Sequence, residues 1–133
     1  MKSRLLVSFS LIVLISGCGQ APRPQDPIGV IRAQIEAVNK GQAEIAASFF
    51  SDDAQIVAPI GQAKGKEKIR AFMMNLIKVK EHEEIIDLAV DGTNVTGTID
   101  IKDTLVAKPI RMTLKAKVLN GKITDWEIGT KAK

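Results

Sequence analysis

Few side chains in this sequence could carry acid–base, nucleophilic or metal chemistry. The 133 residues include one cysteine, one histidine and no tyrosine. The histidine, His82, lies in the charged run Lys80–Glu84, and a histidine in such a run is usually solvated. No second histidine is available to share a metal ion with it, so we predict neither a metal site nor a cofactor.

The carboxylate considered for general-base chemistry is Asp125, in the last strand that the sequence pattern predicts. The sequence does not decide which face of the strand carries it, because either of two alternating sets of residues could point to the inside of the domain. If Ile123 points inwards, Asp125 does too. If Trp126 points inwards, Asp125 faces solvent or a second copy of the chain.

The first residues have the pattern of an export signal. Lys2 and Arg4 give a short positive start, and the apolar stretch Leu5–Ile15 follows. This stretch is too short to cross the hydrocarbon of a membrane, which takes about 20 residues. It suits the central region of a secretory signal peptide, so we predict that residues 1–17 form one.

The end of this segment resembles the lipobox of bacterial lipoproteins. Small residues precede the cysteine in ISGC, residues 15–18. The resemblance implies cleavage between Gly17 and Cys18 and the attachment of a diacylglyceryl thioether to the Cys18 sulfur, for which a thiolate is well suited. Two or three acyl chains, palmitate among them, would hold the protein stably on a membrane. The alternative is an ordinary secretory signal that happens to end near a cysteine.

A lipobox implies the cell envelope of a bacterium. The residue after the cysteine is Gly19 rather than an aspartate. In a Gram-negative cell this favours the periplasmic side of the outer membrane. In a Gram-positive cell the anchor would lie on the outer face of the plasma membrane.

A proline-rich tether and one domain follow the predicted cleavage site. Residues 18–27 contain Pro22, Pro24 and Pro27, which favour an extended chain. Residues 28–133 are enough for a single domain with its own core. The formal net charge is +4, and the signal segment contributes two of these charges. The rest of the chain therefore carries only a small positive net charge, and few aromatic residues accompany its basic ones. We predict no nucleic-acid partner for this reason.

Helical signals occupy the first part of the domain. Asp26 is predicted to cap a helix that begins at Pro27 and ends at Gly41. Apolar residues recur every three or four positions in it, which is the spacing of one buried face. Two more helices are predicted over Gln42–Phe50 and Lys66–Ile77.

Strand signals occupy most of the rest, with a loop at Gly61–Gly65. Asp91-Gly92 and Asn120-Gly121 are two-residue hairpin turns, since these residues tolerate positive φ. Helices on one face of an antiparallel sheet make an α+β domain. The predicted strands are Ala54–Pro59, Ile85–Val90, Thr93–Ile101, residues 110–119 and Lys122–Ile128.

The stretch AVNKGQAEIAASFFSDDAQIVAPIGQAKGKEKIRAFM resembles the opening of the nuclear transport factor 2-like superfamily. SnoaL-like and ketosteroid isomerase-like domains belong to it, and VLNGKITDWEI resembles its last hairpin. The likeness covers nearly all of residues 28–130. It implies a cystatin-like cone in which the N-terminal helices pack on a curved antiparallel sheet around an apolar pocket. Many such relatives dimerise through the outer face of the sheet.

The same resemblance supplies a test for catalysis. Ketosteroid isomerase-like enzymes combine an aspartate base with a tyrosine and a protonated acid, and dehydratase relatives use tyrosines with a histidine and an aspartate. Since this chain has no tyrosine, we lean against an enzyme. Larger apolar side chains are candidates for either the pocket or the core: Phe49, Phe50, Phe72, Met73, Leu76, Met112, Leu114 and Trp126.

Three functions follow as hypotheses, in order of preference. The first is non-catalytic binding of a small apolar or amphipathic molecule by a membrane-tethered domain. The second is interaction with a partner, or homodimerisation, through the outer sheet face that carries Arg111, Thr113, Lys115 and Lys117. The third is an isomerase, dehydratase or cyclase that works with a single acid such as Asp125.

Overall fold

The computed structural model describes residues 23–130. The predicted signal peptide, Cys18 and most of the tether lie outside these residues. None of the helices within residues 23–130 has the length and apolarity that a membrane span requires. The elements are α1 (Pro27–Asn39), α2 (Ala43–Ser48), β1 (Phe50–Ala58), β2 (Gly61–Lys64), α3 (Lys66–Lys78), β3 (His82–Asp91), β4 (Asn94–Lys102), β5 (Ile110–Leu119) and β6 (Lys122–Thr130).

The six strands form one curved sheet in the order β2-β1-β6-β5-β4-β3, and the helices pack on its inner face. The predicted α+β fold class is confirmed. The prediction of a wholly antiparallel sheet is wrong at one point, because β1 pairs with β6 in parallel. A parallel pair needs a long connection between its strands. Here α3 and four strands lie between the two partners, so no hairpin sets their relative direction.

The start of α1 follows the predicted capping. The Asp26 carboxylate accepts a hydrogen bond from the backbone N–H of Gly29 at 2.8 Å, and Pro27 occupies the first helical position. The helix ends before Gly41, whose φ of +72° suits a glycine. Its apolar face carries Ile31 and Ile35 into the core, so the predicted helix is confirmed.

The predicted hairpin turn at Asn120-Gly121 is confirmed. The other turn is shifted by one residue, because Asp91 pairs with Asn94 and leaves Gly92 and Thr93 as the turn residues. The segment predicted to be a loop contains a short strand. Gly92, Asn120 and Gly121 all have positive φ. Residues 61–64 form β2, which pairs with β1 at the edge of the sheet. Only Ala63 of this strand is buried, so its sequence lacks the apolar alternation that signals a strand.

A bulge in β6 decides the face of Asp125. Val118 pairs with Ile123 and Lys117 pairs with Asp125, so Thr124 is an extra residue without an opposite partner. The bulge turns both Ile123 and Trp126 inwards and leaves Asp125 exposed on the outer face. Regular alternation could not have produced this arrangement.

Within residues 23–130 the hydrophobic core extends from Val30 to Ile128. It joins the inner face of the sheet to the buried sides of α1 and α3. Residues 23–130 therefore carry a hydrophobic core of their own, and we expect them to fold as a domain.

Candidate functional site

An apolar cavity of about 200 Å³ opens between the helices and the inner face of the sheet. It lies at the end of the cone where β4 ends and β5 begins. α1 and α3 form one wall, and β4, β5 and β6 form the other. Its apolar lining includes Phe72, Met73, Leu76, Ile101, Met112, Trp126 and Ile128.

The mouth of the cavity has an apolar rim. Ile60, in the turn between β1 and β2, is 69% exposed, and Leu105, in the loop between β4 and β5, is 79% exposed. Both residues line the cavity from its open side. An apolar ligand would cover side chains that otherwise face water.

A buried acid lies among these apolar residues. Glu83, on β3, lines the cavity and is only 5% exposed. β3 begins at His82, and alternation along the strand turns Glu83 to the inner face, together with Ile85. No donor among residues 23–130 reaches the Oε2 atom of Glu83.

The end of α1 fixes the backbone at this acid. The Asn39 side-chain amide donates to the carbonyl oxygen of Glu83 at 2.8 Å. The backbone N–H of Glu83 donates to Oδ1 of Asn39, also at 2.8 Å. Asn39 therefore acts as a two-point clamp that holds the start of β3 against α1.

Two carboxyls share the polar end of the cavity. Burial raises the pKa of Glu83 well above its usual range, and a hydrogen bond with Glu81 raises it further. Burial also raises the pKa of Glu81, although the hydrogen bond with Glu83 acts in the opposite direction. Two carboxyls make such a bond by sharing one proton between them.

A buried amide faces the same space. Gln34, on α1, lines the cavity and is 1% exposed. Its Nε2 atom donates to the sulfur of Met73 at 3.5 Å, and its Oε1 atom has no donor among the described residues. The cavity thus combines apolar walls with a few buried polar groups, which is the usual composition of a ligand site.

Removal of the Asn39 clamp is expected to destabilise the domain. In Asn39→Ala both hydrogen bonds to the Glu83 backbone are lost, and two backbone groups are left without partners. We expect the free energy of unfolding to fall by about 2 kcal/mol, measured by urea denaturation. Lys40→Ala is the matched control. It removes only an exposed ion pair with Glu36 and should cost less than about 1 kcal/mol. Equal effects of the two substitutions would contradict the clamp.

Comparison with known proteins places this geometry in a family. The model of the SnoaL-like domain matches residues 31–126. The chain belongs to the SnoaL-like domain family. No curated protein sequence matches it significantly.

Solved structures share the fold of this SnoaL-like domain. An NTF2-like protein of unknown function from Cytophaga hutchinsonii is similar with a TM-score of 0.70 and 18% identity, over 84% of this chain and 95% of that one. A cystatin-fold protein from Novosphingobium aromaticivorans is similar with a TM-score of 0.70 and 20% identity, over 79% and 98%. The epoxide hydrolase/cyclase-like enzyme SalBIII, with a role in pyran ring formation in salinomycin, is similar with a TM-score of 0.72 and 18% identity, over 80% of this chain and 93% of that one. These similarities confirm the predicted cystatin-like and nuclear transport factor 2-like fold.

The SnoaL-like domain divides the apolar candidates between its cavity and its core. Phe49, Phe50 and Leu114 are buried in the core and do not line the cavity. The Phe50 ring packs edge-on against Trp126, with ring centroids 5.9 Å apart, and so supports the cavity wall from behind. The candidates that line the cavity are Phe72, Met73, Leu76, Met112 and Trp126.

The structure removes the support for Asp125 as a general base of this SnoaL-like domain. Asp125 is exposed on the outer sheet face, opposite Lys117, and does not line the apolar cavity. His82 is also exposed and does not line the cavity. Gly17 and Cys18 lie outside the described residues.

The sequence analysis missed Glu83, Gln34 and Asn39. Glu83 lies in the charged run Lys80–Glu84, and the predicted strand begins only at Ile85, whereas β3 begins at His82. An earlier start would have placed Glu83 on the same face as Ile85, by the two-residue period of a strand. Gln34 lies on the apolar side of α1 beside Ile31 and Ile35, and that position was the available signal.

Proposed function

We propose that this SnoaL-like domain binds a small apolar or amphipathic molecule in its cavity without changing it. The observation that carries the proposal is the open space of about 200 Å³ between the helices and the inner face of the sheet. A solidly packed domain would fill that space with side chains. Here Trp126 and Phe72 are left facing a cavity instead.

The volume limits the size of the ligand. A dry cavity of about 150 Å³ in another protein holds benzene. The cavity in this chain suits a ligand somewhat larger than a benzene ring, such as an eight-carbon chain with one polar group. The loops that carry Ile60 and Leu105 would contact the part that projects from the mouth.

Binding can be followed through Trp126, which is the single tryptophan in a chain without tyrosine. We expect 1-octanol to change the emission of Trp126 with saturation in residues 18–133 carrying Cys18→Ser. Ala58→Phe should abolish this change, because Ala58 lines the cavity and the added ring would fill it. Ala89→Phe, at an exposed position of β3, is the matched control. An unchanged response of Ala58→Phe, or no response of the parent protein, would refute cavity binding.

Acid catalysis at the same cavity is the second candidate function. The observation that favours it is a buried carboxyl, Glu83, whose pKa burial raises well above its usual range, beside a second acid, Glu81, inside an apolar site. Such a pair suits proton donation to an epoxide or a carbonyl oxygen. Turnover that Glu83→Gln abolishes while ligand binding persists would support it. It would use Glu83 rather than Asp125.

The lipid anchor remains a proposal that rests on the lipobox resemblance. We propose that acylated Cys18 tethers the domain to a membrane of the bacterial envelope. The described part of the tether lies beside α2: Arg23 donates to the hydroxyl of Ser48 at 2.7 Å and stacks over the Phe49 ring. Gln25 lies against Gly121, in the turn between β5 and β6.

This placement gives the cavity an orientation relative to the anchor. The tether joins the domain next to the turn after Leu119, while the cavity lies at Ile110, the other end of β5. Ten residues of strand separate these ends by about 30 Å. The mouth would therefore face away from the membrane and take its ligand from the aqueous side.

A label at each end of the domain tests this orientation. In the acylated protein in vesicles, we expect a lipid-borne quencher to quench a fluorophore at Asn120→Cys several-fold more than one at Leu105→Cys. The quenching falls steeply with distance from the lipid, and Leu105 lies at the cavity mouth. Equal quenching at both positions, or stronger quenching at Leu105, would contradict the proposed orientation.

Dimerisation through the outer sheet face stays a prediction. The structure shows that this face is charged with both signs. Arg111 donates to Asp100 at 2.8 Å, and Lys115 pairs across the strands with Glu127. A second copy would have to meet these pairs with complementary charge. Gel filtration of the domain tests the prediction, and a concentration-independent monomer would exclude it.

A further inference from the structure

The cavity is lined by acids but by no basic side chain within residues 23–130. Glu81, Glu83 and Asp103 all line it, and no lysine, arginine or histidine does. Repulsion from Asp103 contributes to the raised pKa of Glu81, so the three acids act on one another. The polar end of an otherwise apolar site therefore carries negative charge that the described residues lining it do not balance.

The buried polar atoms at this end are acceptors. Oε1 of Gln34 accepts no hydrogen bond from the described residues, and the Nε2 atom of the same amide donates to the sulfur of Met73. Oε2 of Glu83 also has no donor. Gln34 and Glu83 are both more than nine-tenths buried, and buried polar atoms in folded proteins usually have a hydrogen-bond partner.

We propose that the cavity takes a small lipophilic amine, bound as its ammonium ion at Glu83, Glu81 and Gln34. This rests on the proposed ligand-binding function and names the ligand class. An alkylammonium head has three N–H donors and a positive charge. It matches the unpaired acceptors and the acids together, and its alkyl tail would lie against Trp126 and Phe72.

Other ligand classes fit the same lining less well. A fatty acid would bring a further acid beside Glu81, Glu83 and Asp103, and its negative charge would be repelled there. An alcohol offers a single O–H donor and no charge. Within the described residues no group of acids is arranged to hold a metal ion, so a divalent cation does not replace the ammonium.

Binding of an ammonium ion is expected to release the proton that Glu81 and Glu83 share. The positive charge favours the ionised form of Glu83, so the proton leaves the site as the amine enters. Glu81 and Asp103 are the other titratable groups that line the site. The helices α1 and α3 present only uncharged residues there, such as Gln34 and Phe72. We therefore expect amine affinity to rise with pH while the amine stays protonated.

Three ligands of equal chain length test the proposal. Octylamine, 1-octanol and octanoate are titrated against Trp126 emission at pH 7.5, in residues 18–133 with Cys18→Ser. We expect octylamine to bind at least about tenfold more tightly than 1-octanol, because charge-assisted hydrogen bonds exceed neutral ones. Octanoate should bind most weakly. Glu83→Gln should lower the ratio of amine to alcohol affinity by about tenfold. Glu84→Gln, at the exposed neighbouring position, should not change it.

The outcomes separate this inference from the proposed function. If 1-octanol binds as tightly as octylamine, the amine preference is overturned while cavity binding stands. If no ligand changes Trp126 emission, the proposed function fails as well. Should Glu83→Gln not fold, Asp103→Asn at the mouth must lower the same affinity ratio. An unchanged ratio there would overturn the proposal.

Discussion

Glu83→Gln is expected to stabilise the protein at pH 8 by about 1–3 kcal/mol, which is the usual cost of a buried polar group without full compensation. Burial raises the pKa of Glu83, so the folded state keeps a proton that the unfolded state gives up. Stability is therefore lost as the pH rises from about 4 towards the raised pKa of the folded state. Gln keeps an N–H donor for Glu81 and has no charge to desolvate.

Thermal unfolding as a function of pH measures this effect. The midpoint of Glu83→Gln should exceed that of the parent protein by about 5 °C at pH 8, and the difference should vanish near pH 4. Glu84→Gln, one residue further along β3 and exposed, should follow the parent protein at every pH. A destabilised Glu83→Gln at pH 8 would show that the acid is ionised and held by partners in the folded state. A gain in stability on loss of the acid is typical of a functional site, where activity is maintained at a cost in stability.

Gly97→Ala is expected to cause the largest loss of stability among single-methyl additions in the sheet. A Cβ atom at Gly97 would lie 2.2 Å from the backbone oxygen of Asp87. β3 carries a bulge at Ile86, because Ile85 pairs with Ile99 and Asp87 pairs with Thr98. Since the obstacle is backbone, the two strands would have to separate, and we expect a loss of more than about 3 kcal/mol.

Chemical denaturation of Gly97→Ala and Gly129→Ala provides the comparison. Gly129 lies in β6, and a Cβ atom there would meet only the hydroxyl of Thr113, at 3.1 Å. That side chain can move, so Gly129→Ala should cost less than about 1 kcal/mol. If both substitutions cost the same, the close approach of β3 and β4 at Gly97 is not a constraint.

The elements that could be predicted are those specified by local sequence. Asp26 and Pro27 start α1, and Asn120-Gly121 closes the last hairpin, because capping and positive φ depend on a few neighbouring residues. β5 also followed its pattern, with Leu114 inside and Lys115 outside. In each case the local sequence favoured one structure, and no contact with a distant residue opposed it.

The parts that could not be predicted depend on distant partners. The bulge at Thr124 is defined by its register with β5, and it exposes Asp125 while burying Trp126. The parallel pairing of β1 with β6 joins strands that no turn connects. Glu83 is buried because Asn39, at the end of α1, clamps its backbone against the helix. Charge patterns alone assign such an acid to solvent.

Native mass spectrometry of the protein, purified gently from its own host, tests ligand binding most directly. We predict a reproducible additional mass that is released on denaturation and is lost in Ala58→Phe, in which the cavity is filled. An additional mass that persists in Ala58→Phe would place the ligand elsewhere. A mass equal to that of the covalent chain alone, in repeated preparations, would contradict ligand binding in the cavity.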